Sequence, residues 1–287
     1  VLAVRDRAEA VALLRQPDPR RVFSHAVVEG AASVVFLFPG GGAQYPGMAR
    51  GLYENEASFR RSVDEGLSYL PAGVAEEIRG LWLNEATPAG EASAGFLRPS
   101  LQLPAILIVE VALARLWMEW GIKPAALIGH SMGENAAACV AGVLSFQDAV
   151  RLVHLRGELF DSVKGGGMLS VPLAAEELKR RLPEGLDLAT VNAPELCVAS
   201  GPKAAIEAFR ESLAAEEIEA QPVAIDIAAH SRMLEPILGR FEAFLRTIDL
   251  RSPRIPVVSN RSGTWLQAAA ILGCEPQEVT DKLTPDQ

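Results

Sequence analysis

Two kinds of apolar run alternate along the chain. Short continuous ones, Ser33-Val34-Val35-Phe36-Leu37-Phe38, Ala125-Ala126-Leu127-Ile128 and Ile255-Pro256-Val257-Val258, carry no polar alternation. That is the pattern of strands covered on both faces, as in a parallel sheet. Between them lie longer segments with helical spacing, at 8–15, 48–70, 100–119, 146–163 and 233–245. Ser145 is placed to cap the helix at 146–163, with Asp148 at its third position, and Pro104 lies near the first turn of the helix opening at 100. Pro17 and Pro19 close the first helix. Residues 24–32 read as a connector and 90–99 as a loop.

The pattern changes after Gly165-Gly166-Gly167. Strands at 168–171, 186–192, 196–200 and 218–225 enclose helices at 174–182 and 202–215, which is the β-α-β-β-α-β order of a ferredoxin-like unit. The predicted fold class is therefore α/β. A larger domain with a parallel sheet spans 33–164 and 229–287, a small ferredoxin-like α+β subdomain is inserted at 165–228, and 1–32 is an N-terminal linker remnant. The chain opens on Val1 without Met, as an excised piece of something longer would, and its tail from Trp265 to Gln287 is polar and dotted with proline.

Composition narrows the function classes. A net charge of −9 gives no basic stripe for nucleic acid. Cys139, Cys197 and Cys274 are widely spaced, so neither a disulfide framework nor a metal site is expected, and a reducing, cytoplasmic setting follows. The apolar stretch from Leu103 to Trp120 carries Glu110, Arg115 and Glu119, which suits a core helix rather than a membrane span.

Candidate chemistry centres on Gly129-His130-Ser131-Met132-Gly133. Strand, Gly-flanked turn with serine at its tip, then helix is the nucleophile-elbow layout of α/β-hydrolase-like folds. A serine needs a base. Of His25, His130, His154 and His230, the last is favoured: it follows the inserted unit at a strand-to-helix junction, whereas His130 adjoins the serine and His154 lies mid-helix as a surface or packing residue. Gly40-Gly41-Gly42, straight after the first buried strand, is either an N–H cradle for an anion or a tight turn. Met132 N–H and this loop are the candidate oxyanion donors. Arg156, one helix beyond the elbow helix, has the fork that suits a carboxylate, but from the residues alone it reads first as a solvated helix arginine.

Taken together, Phe38-Pro39-Gly40-Gly41-Gly42-Ala43-Gln44, the elbow through Glu134, Leu155-Arg156-Gly157, Val191-Asn192-Ala193-Pro194 and Ala228-Ala229-His230-Ser231 resemble the acyltransferase domain of modular polyketide synthases. These are relatives of the malonyl-CoA:acyl carrier protein transacylases. The resemblance runs from about Val34 to Trp265. It implies Ser131 as acylated nucleophile and His230 as its base, with a backbone carbonyl near Asn260 orienting the imidazole. It implies Arg156 as partner of a malonyl carboxylate and Gly41 and Met132 as oxyanion donors. Gln102, Asn192 and Ala229 fall at substrate-pocket positions. Where the family often has Gln, this chain has Gly41, and its Thr-Gln-Pro becomes Gln102-Leu103-Pro104.

The implied reaction is ping-pong acyl transfer. An acyl-CoA donates, and the phosphopantetheine thiol of an acyl carrier protein accepts. No permanently bound cofactor or metal is implied. The partners implied are the carrier protein and a neighbouring ketosynthase domain, with no nucleic acid and no membrane. Malonyl selectors in the family carry an aliphatic residue after the serine, which Met132 matches, whereas the small Ala229 leaves room for an α-methyl; malonyl-CoA is expected over methylmalonyl-CoA. The rival reading is a serine hydrolase, a thioesterase or patatin-like lipase, for which Asp187 and Asp226 are the candidate carboxylates. The family usually continues to a Tyr-Trp…Arg…Pro-Val segment where this chain ends in Leu283-Thr284-Pro285-Asp286-Gln287.

Overall fold

The computed structural model describes residues 4–24, 33–83, 98–223 and 227–266. Most of the connector at 24–32, most of the loop at 90–99, Asp226, Cys274 and the tail beyond 266 lie outside them. The chain divides into two compact units, Val1–Ser33 and Val34–Gln287. The first holds helix α1 (Arg7–Arg15), whose N-terminus is capped by the Asp6 carboxylate accepting the Glu9 N–H at 2.8 Å.

In the second unit, β1 (Val34–Phe38), β2 (Pro124–Gly129) and β7 (Val257–Val258) form a parallel sheet in the order β1-β2-β7. Phe38 pairs in register with Gly129, so the loops leaving β1 and β2 emerge side by side at the carboxyl edge. β7 is shorter than the apolar run at 255–260 predicts. Pro256 has no N–H for the ladder and only accepts from Leu127 N, while Ser259 N bonds Thr264 O and turns the chain away.

Between β1 and β2 come α2 (Arg50–Asn55), α3 (Ala57–Ser68), α4 (Ala72–Leu83) and α5 (Pro99–Glu119). The expected helical stretch at 48–70 is thus broken at Glu56. α4 has no counterpart in the sequence reading: it buries only Ile78 and Trp82, so its apolar periodicity is faint. The 21 residues of α5 are long and apolar enough to cross a membrane, but they are packed inside the unit against α3, α4 and the helices that follow β2, as the embedded charges predict.

After β2 run α6 (Gly133–Ala141) and α7 (Phe146–Ser162). Ser145 caps α7 as expected, accepting the Asp148 N–H at 3.0 Å. Next come β3 (Gly166–Val171), α8 (Ala175–Arg181), β4 (Asp187–Ala193), β5 (Leu196–Pro202), α9 (Lys203–Ala215) and β6 (Gln221–Pro222). They make an antiparallel sheet in the order β4-β5-β3-β6. β6 begins later than predicted, at Gln221; Val223 N–H still donates to Met168 O at 3.0 Å, and residues 224 and 225 of the predicted strand lie outside the described residues. Period-two alternation splits this sheet into two faces. Leu169, Val171, Cys197 and Ala199 join Phe209 and Leu213 in a core of their own, while Met168 and Val198 belong to the main core of the unit. The second face is therefore free to roof a cavity. A 3₁₀ turn (Arg232–Leu234) and α10 (Glu235–Leu245) lead on to β7.

One core group stands out energetically. Glu110 of α5 is buried, and among the described residues neither carboxylate oxygen has a hydrogen-bond partner. It lines an apolar cavity of about 580 Å³ beside β1, with Phe36, Ile106 and Trp117. Burial pushes its carboxyl up to about 9 from an ordinary 4.5. Folding then takes up a proton: the unfolded carboxylate is ionised at pH 7 and the folded one is not. The contribution of this group to stability is accordingly fully present below pH 4.5 and is lost as pH rises towards about 9. Removing the group should recover on the order of 3 kcal/mol at pH 7. We predict that Glu110→Leu raises the melting temperature more at pH 8 than at pH 5 in thermal denaturation; a gain independent of pH would contradict the buried neutral acid.

Candidate active site

The turn after β2 is built by close backbone approach. His130 N–H donates to Phe38 O at 2.8 Å, and Gly133 N–H to His130 O at 2.9 Å. A Cβ on Gly133 would lie 2.2 Å from Phe38 O, and one on Gly129 would lie 2.2 Å from Glu134 N, so neither position admits a side chain. Ser131 itself has φ 52°, the strained left-handed region that holds a nucleophile proud of the sheet.

Asn260, just beyond β7, holds this turn from the far side. Its Oδ1 accepts Ser131 N–H at 3.0 Å, its Nδ2 donates to Gly129 O at 2.6 Å, and its own N–H donates to Glu134 Oε1 at 2.7 Å. The hydrogen bonds of Asn260 thus go to the elbow rather than to an imidazole.

His230 comes to the serine from beyond the antiparallel sheet. Its Nε2 lies 2.8 Å from Ser131 Oγ. Like Ser131, it has a positive φ, 58°. The turn is secured on its C-terminal side, where Ser231 Oγ donates to Ala228 O at 2.7 Å and Arg232 grips Asp187 of β4 with Nη2 at 2.6 Å and the backbone N–H at 2.8 Å. Asp187 is therefore spent on Arg232, whose guanidinium holds its carboxyl below the usual range, and it is not a third member behind His230. Burial first, and then the charges of Arg156 and His130, hold His230 below its ordinary 6.5. The imidazole is neutral at pH 7, which is the form that accepts a proton.

Arg156 projects from α7, and α7 is fixed by an unusual bond. α5 begins at Pro99 rather than at Ser100, so Pro104 sits inside the helix, beyond its first turn, a correction to the sequence reading. Proline offers no N–H to the carbonyl four residues back. That carbonyl, Ser100 O, instead lies 3.2 Å from His154 Nδ1 of α7. His154 is buried and serves packing, two residues from Arg156. The Arg156 guanidinium sits 5.1 Å from the Phe160 ring centre. Burial lowers its pKa and the Glu134 carboxylate partly opposes this. Among the described residues it has neither an ion pair nor a hydrogen bond.

One small cavity of about 190 Å³ gathers every site residue the sequence nominated: Gly41, Gln102, Ser131, Met132, Arg156, Asn192, Ala229 and His230. Met168, Ser170 and Val198 of the antiparallel sheet complete its wall. Among the described residues the N–H groups of Gly41 and Met132 have no partner, as an oxyanion site requires. Asn192 Oδ1 lies 3.1 Å from His130 Nε2, joining the two sheets across the mouth. Adjoining it at the dyad is a larger groove of about 1130 Å³, which shares His130, Ser131, Thr190, Asn192 and His230 with the cavity.

Sequence reasoning missed four contributors. Phe160 is one turn beyond Arg156, a spacing that could have paired them. His154 could have been linked to Pro104 only through the helix packing. The clamp between Asn260 and Glu134 spans 126 residues and leaves no local signal.

A strained serine on a strand-turn-helix, an imidazole on its oxygen and two free amides define an acyl-transferring site. The comparisons give the family. Residues 35–274 match the acyl transferase domain model. A phenolphthiocerol/phthiocerol polyketide synthase protein of Mycobacterium tuberculosis is 37% identical over 275 residues, 92% of this chain and 18% of that protein. Among solved structures, the acyl transferase domain of ZmaA superposes with a TM-score of 0.81 at 38% identity, covering 91% of this chain and 61% of that one. The acyl transferase domain of SpnD in complex with 2-(pent-4-yn-1-yl)malonyl gives 0.79 at 38% identity, covering 91% and 61%. This chain belongs to the acyl transferase domain family, and it spans less than two thirds of the length of these relatives.

Two outcomes follow from the site. His154→Leu should leave Ser100 O unpaired and cost roughly 1–3 kcal/mol in denaturant unfolding. In a Pro104→Ala background, where residue 104 regains an N–H, that cost should shrink; equal costs in both backgrounds would disprove the link. Labelling of Ser131 by a fluorophosphonate should follow neutral His230, with its acid limb below pH 6.5, and Arg156→Ala should move that limb upward by removing a neighbouring positive charge. A limb at or above 6.5 in the unmodified protein would contradict the electrostatics.

Proposed function

We propose that this chain loads a malonyl-type extender unit from acyl-CoA onto an acyl carrier protein, through an acyl-Ser131 intermediate, within a polyketide synthase. The observation that carries this reading is the half-buried, unpaired Arg156 guanidinium in the same small cavity as the Ser131–His230 pair. A cation that loses part of its hydration without gaining a partner is costly, and a carboxylate on the acyl group would satisfy it.

In the first half-reaction His230 Nε2 takes the Ser131 proton as Oγ attacks the thioester carbonyl. The oxyanion forms against the N–H groups of Gly41 and Met132. The C–S bond breaks and His230 returns the proton to the departing CoA sulfur. In the second half-reaction the carrier's phosphopantetheine thiol gives its proton to His230, its sulfur attacks the Ser131 ester, and the proton returns to Oγ as the C–O bond breaks. Gln102 and Asn192 serve as polar positions beside the acyl group. In this reading the chain works in the cytoplasm beside a ketosynthase domain, as part of a longer polypeptide.

Malonyl is favoured over methylmalonyl. Met132 is buried and lines the cavity, whose volume is about 190 Å³, and this supports the smaller acyl group. Ala229 adds a little room on the opposite wall. The hydrolase alternative loses Asp187, which is engaged by Arg232.

Intact-mass spectrometry after mixing with malonyl-, methylmalonyl- and acetyl-CoA tests the reading. A malonyl adduct on Ser131 should form fastest, and Ser131→Ala should abolish it. Arg156→Ala should erase most of the discrimination against acetyl-CoA, about tenfold or more for one charge-assisted bond. Steady CoA release into water without an adduct would instead support a hydrolase, and discrimination that survives Arg156→Ala would remove its assigned role.

A further inference from the structure

The larger groove has a charge distribution of its own. The chain as a whole carries −9, which repels anions. Yet among the described residues lining this groove, Arg261 is the one permanent cation and Glu134 the one carboxylate. Glu134 is occupied by the backbone N–H of Asn260. Arg261 is exposed, and among the described residues no ion pair or side-chain hydrogen bond holds its guanidinium.

Its backbone, by contrast, is fixed. The preceding residue, Asn260, is bound three times to the elbow, at Ser131 N, Gly129 O and Glu134 Oε1. Arg261 N–H donates to Ser259 Oγ at 3.2 Å. The turn beyond is closed by Ser259 N to Thr264 O at 2.8 Å and Gly263 N to Ser259 O at 2.9 Å. A free guanidinium is therefore tethered next to the residue that positions the nucleophile, in a groove whose lining includes Ser131 and His230 but not Arg156. The groove it borders is about 1130 Å³, several times the inner cavity, and meets that cavity at Ser131 and His230.

We propose that Arg261 binds the phosphate at the end of the pantetheine arm. This rests on the acyl-transfer reading above. If Arg156 takes the acyl end into the inner cavity, the thioester lies at Ser131 and the arm must leave through the groove. Both thiol carriers in such a reaction, CoA and the prosthetic group of a carrier protein, end that arm in a phosphate. Guanidinium is suited to it by fork geometry and charge. Arg261 thus selects for phosphorylated pantetheine over the free arm, at the end of the substrate opposite to the one Arg156 selects.

The test compares malonyl-CoA with malonyl-pantetheine, which lacks the phosphate, as donors to Ser131. In Arg261→Gln the ratio of kcat/KM for malonyl-CoA to that for malonyl-pantetheine should fall about three- to tenfold, and Arg261→Lys should restore much of it. The ratio in the unmodified protein should decline as salt is raised. Discharge of malonyl-Ser131 to a holo carrier protein and to free pantetheine forms the second arm of the experiment. A change confined to the first arm assigns the phosphate to CoA, and one confined to the second assigns it to the carrier. An unchanged ratio in both arms overturns the proposal while leaving the acyl-transfer reading intact. Failure of the unmodified protein to take malonyl from either donor overturns that reading, and this inference with it.

Discussion

The hydrogen bond between Ser131 Oγ and His230 Nε2 is the contact on which the rest depends. It joins residues 99 positions apart at 2.8 Å, and both have positive φ, so neither conformation is maintained by local preference. Each needs a separate brace. Asn260 supplies one by gripping the elbow on three atoms. The Asp187–Arg232 pair supplies the other by tying the turn after His230 to β4. The parallel sheet carries the serine and the antiparallel sheet steadies the histidine.

Charge separates the two sides of that bond. On the inner side, burial costs Arg156 part of its hydration, and among the described residues it has no partner, while its charge adds to burial in keeping His230 neutral. In the proposed reading one group bears on both the choice of acyl chain and the readiness of the base. On the outer side the groove is open, and Arg261 is its permanent cation among the described residues. In the proposed reading the two arginines engage opposite ends of one long substrate, with the reacting carbon between them.

Much of this was legible in the residues. The buried strands, the elbow glycines and the β-α-β-β-α-β order are local signals, because periodicity and turn chemistry act over a few positions. The strand at 255–260 shrank because Pro256 withholds the N–H that a ladder needs and Ser259 N–H turns to Thr264 O. Arg156 was ambiguous for a different reason: whether a helix arginine is solvated or buried depends on what packs over it. The cover comes from distant segments, including Met168 and Val198 of the antiparallel sheet. Pro104 and His154 show the same limit. The missing N–H is written in the sequence, but the side chain that uses the freed carbonyl is 54 positions away from it.

In the proposed reading the acyl group lies inward on Arg156, with its thioester at the dyad. A crystal structure of the chain after reaction with malonyl-CoA would then hold an ester on Ser131 Oγ whose free carboxylate lies within hydrogen-bond distance of the Arg156 guanidinium and whose carbonyl oxygen faces the N–H groups of Gly41 and Met132. An ester whose carboxylate points into the outer groove, leaving Arg156 without a partner, would contradict it.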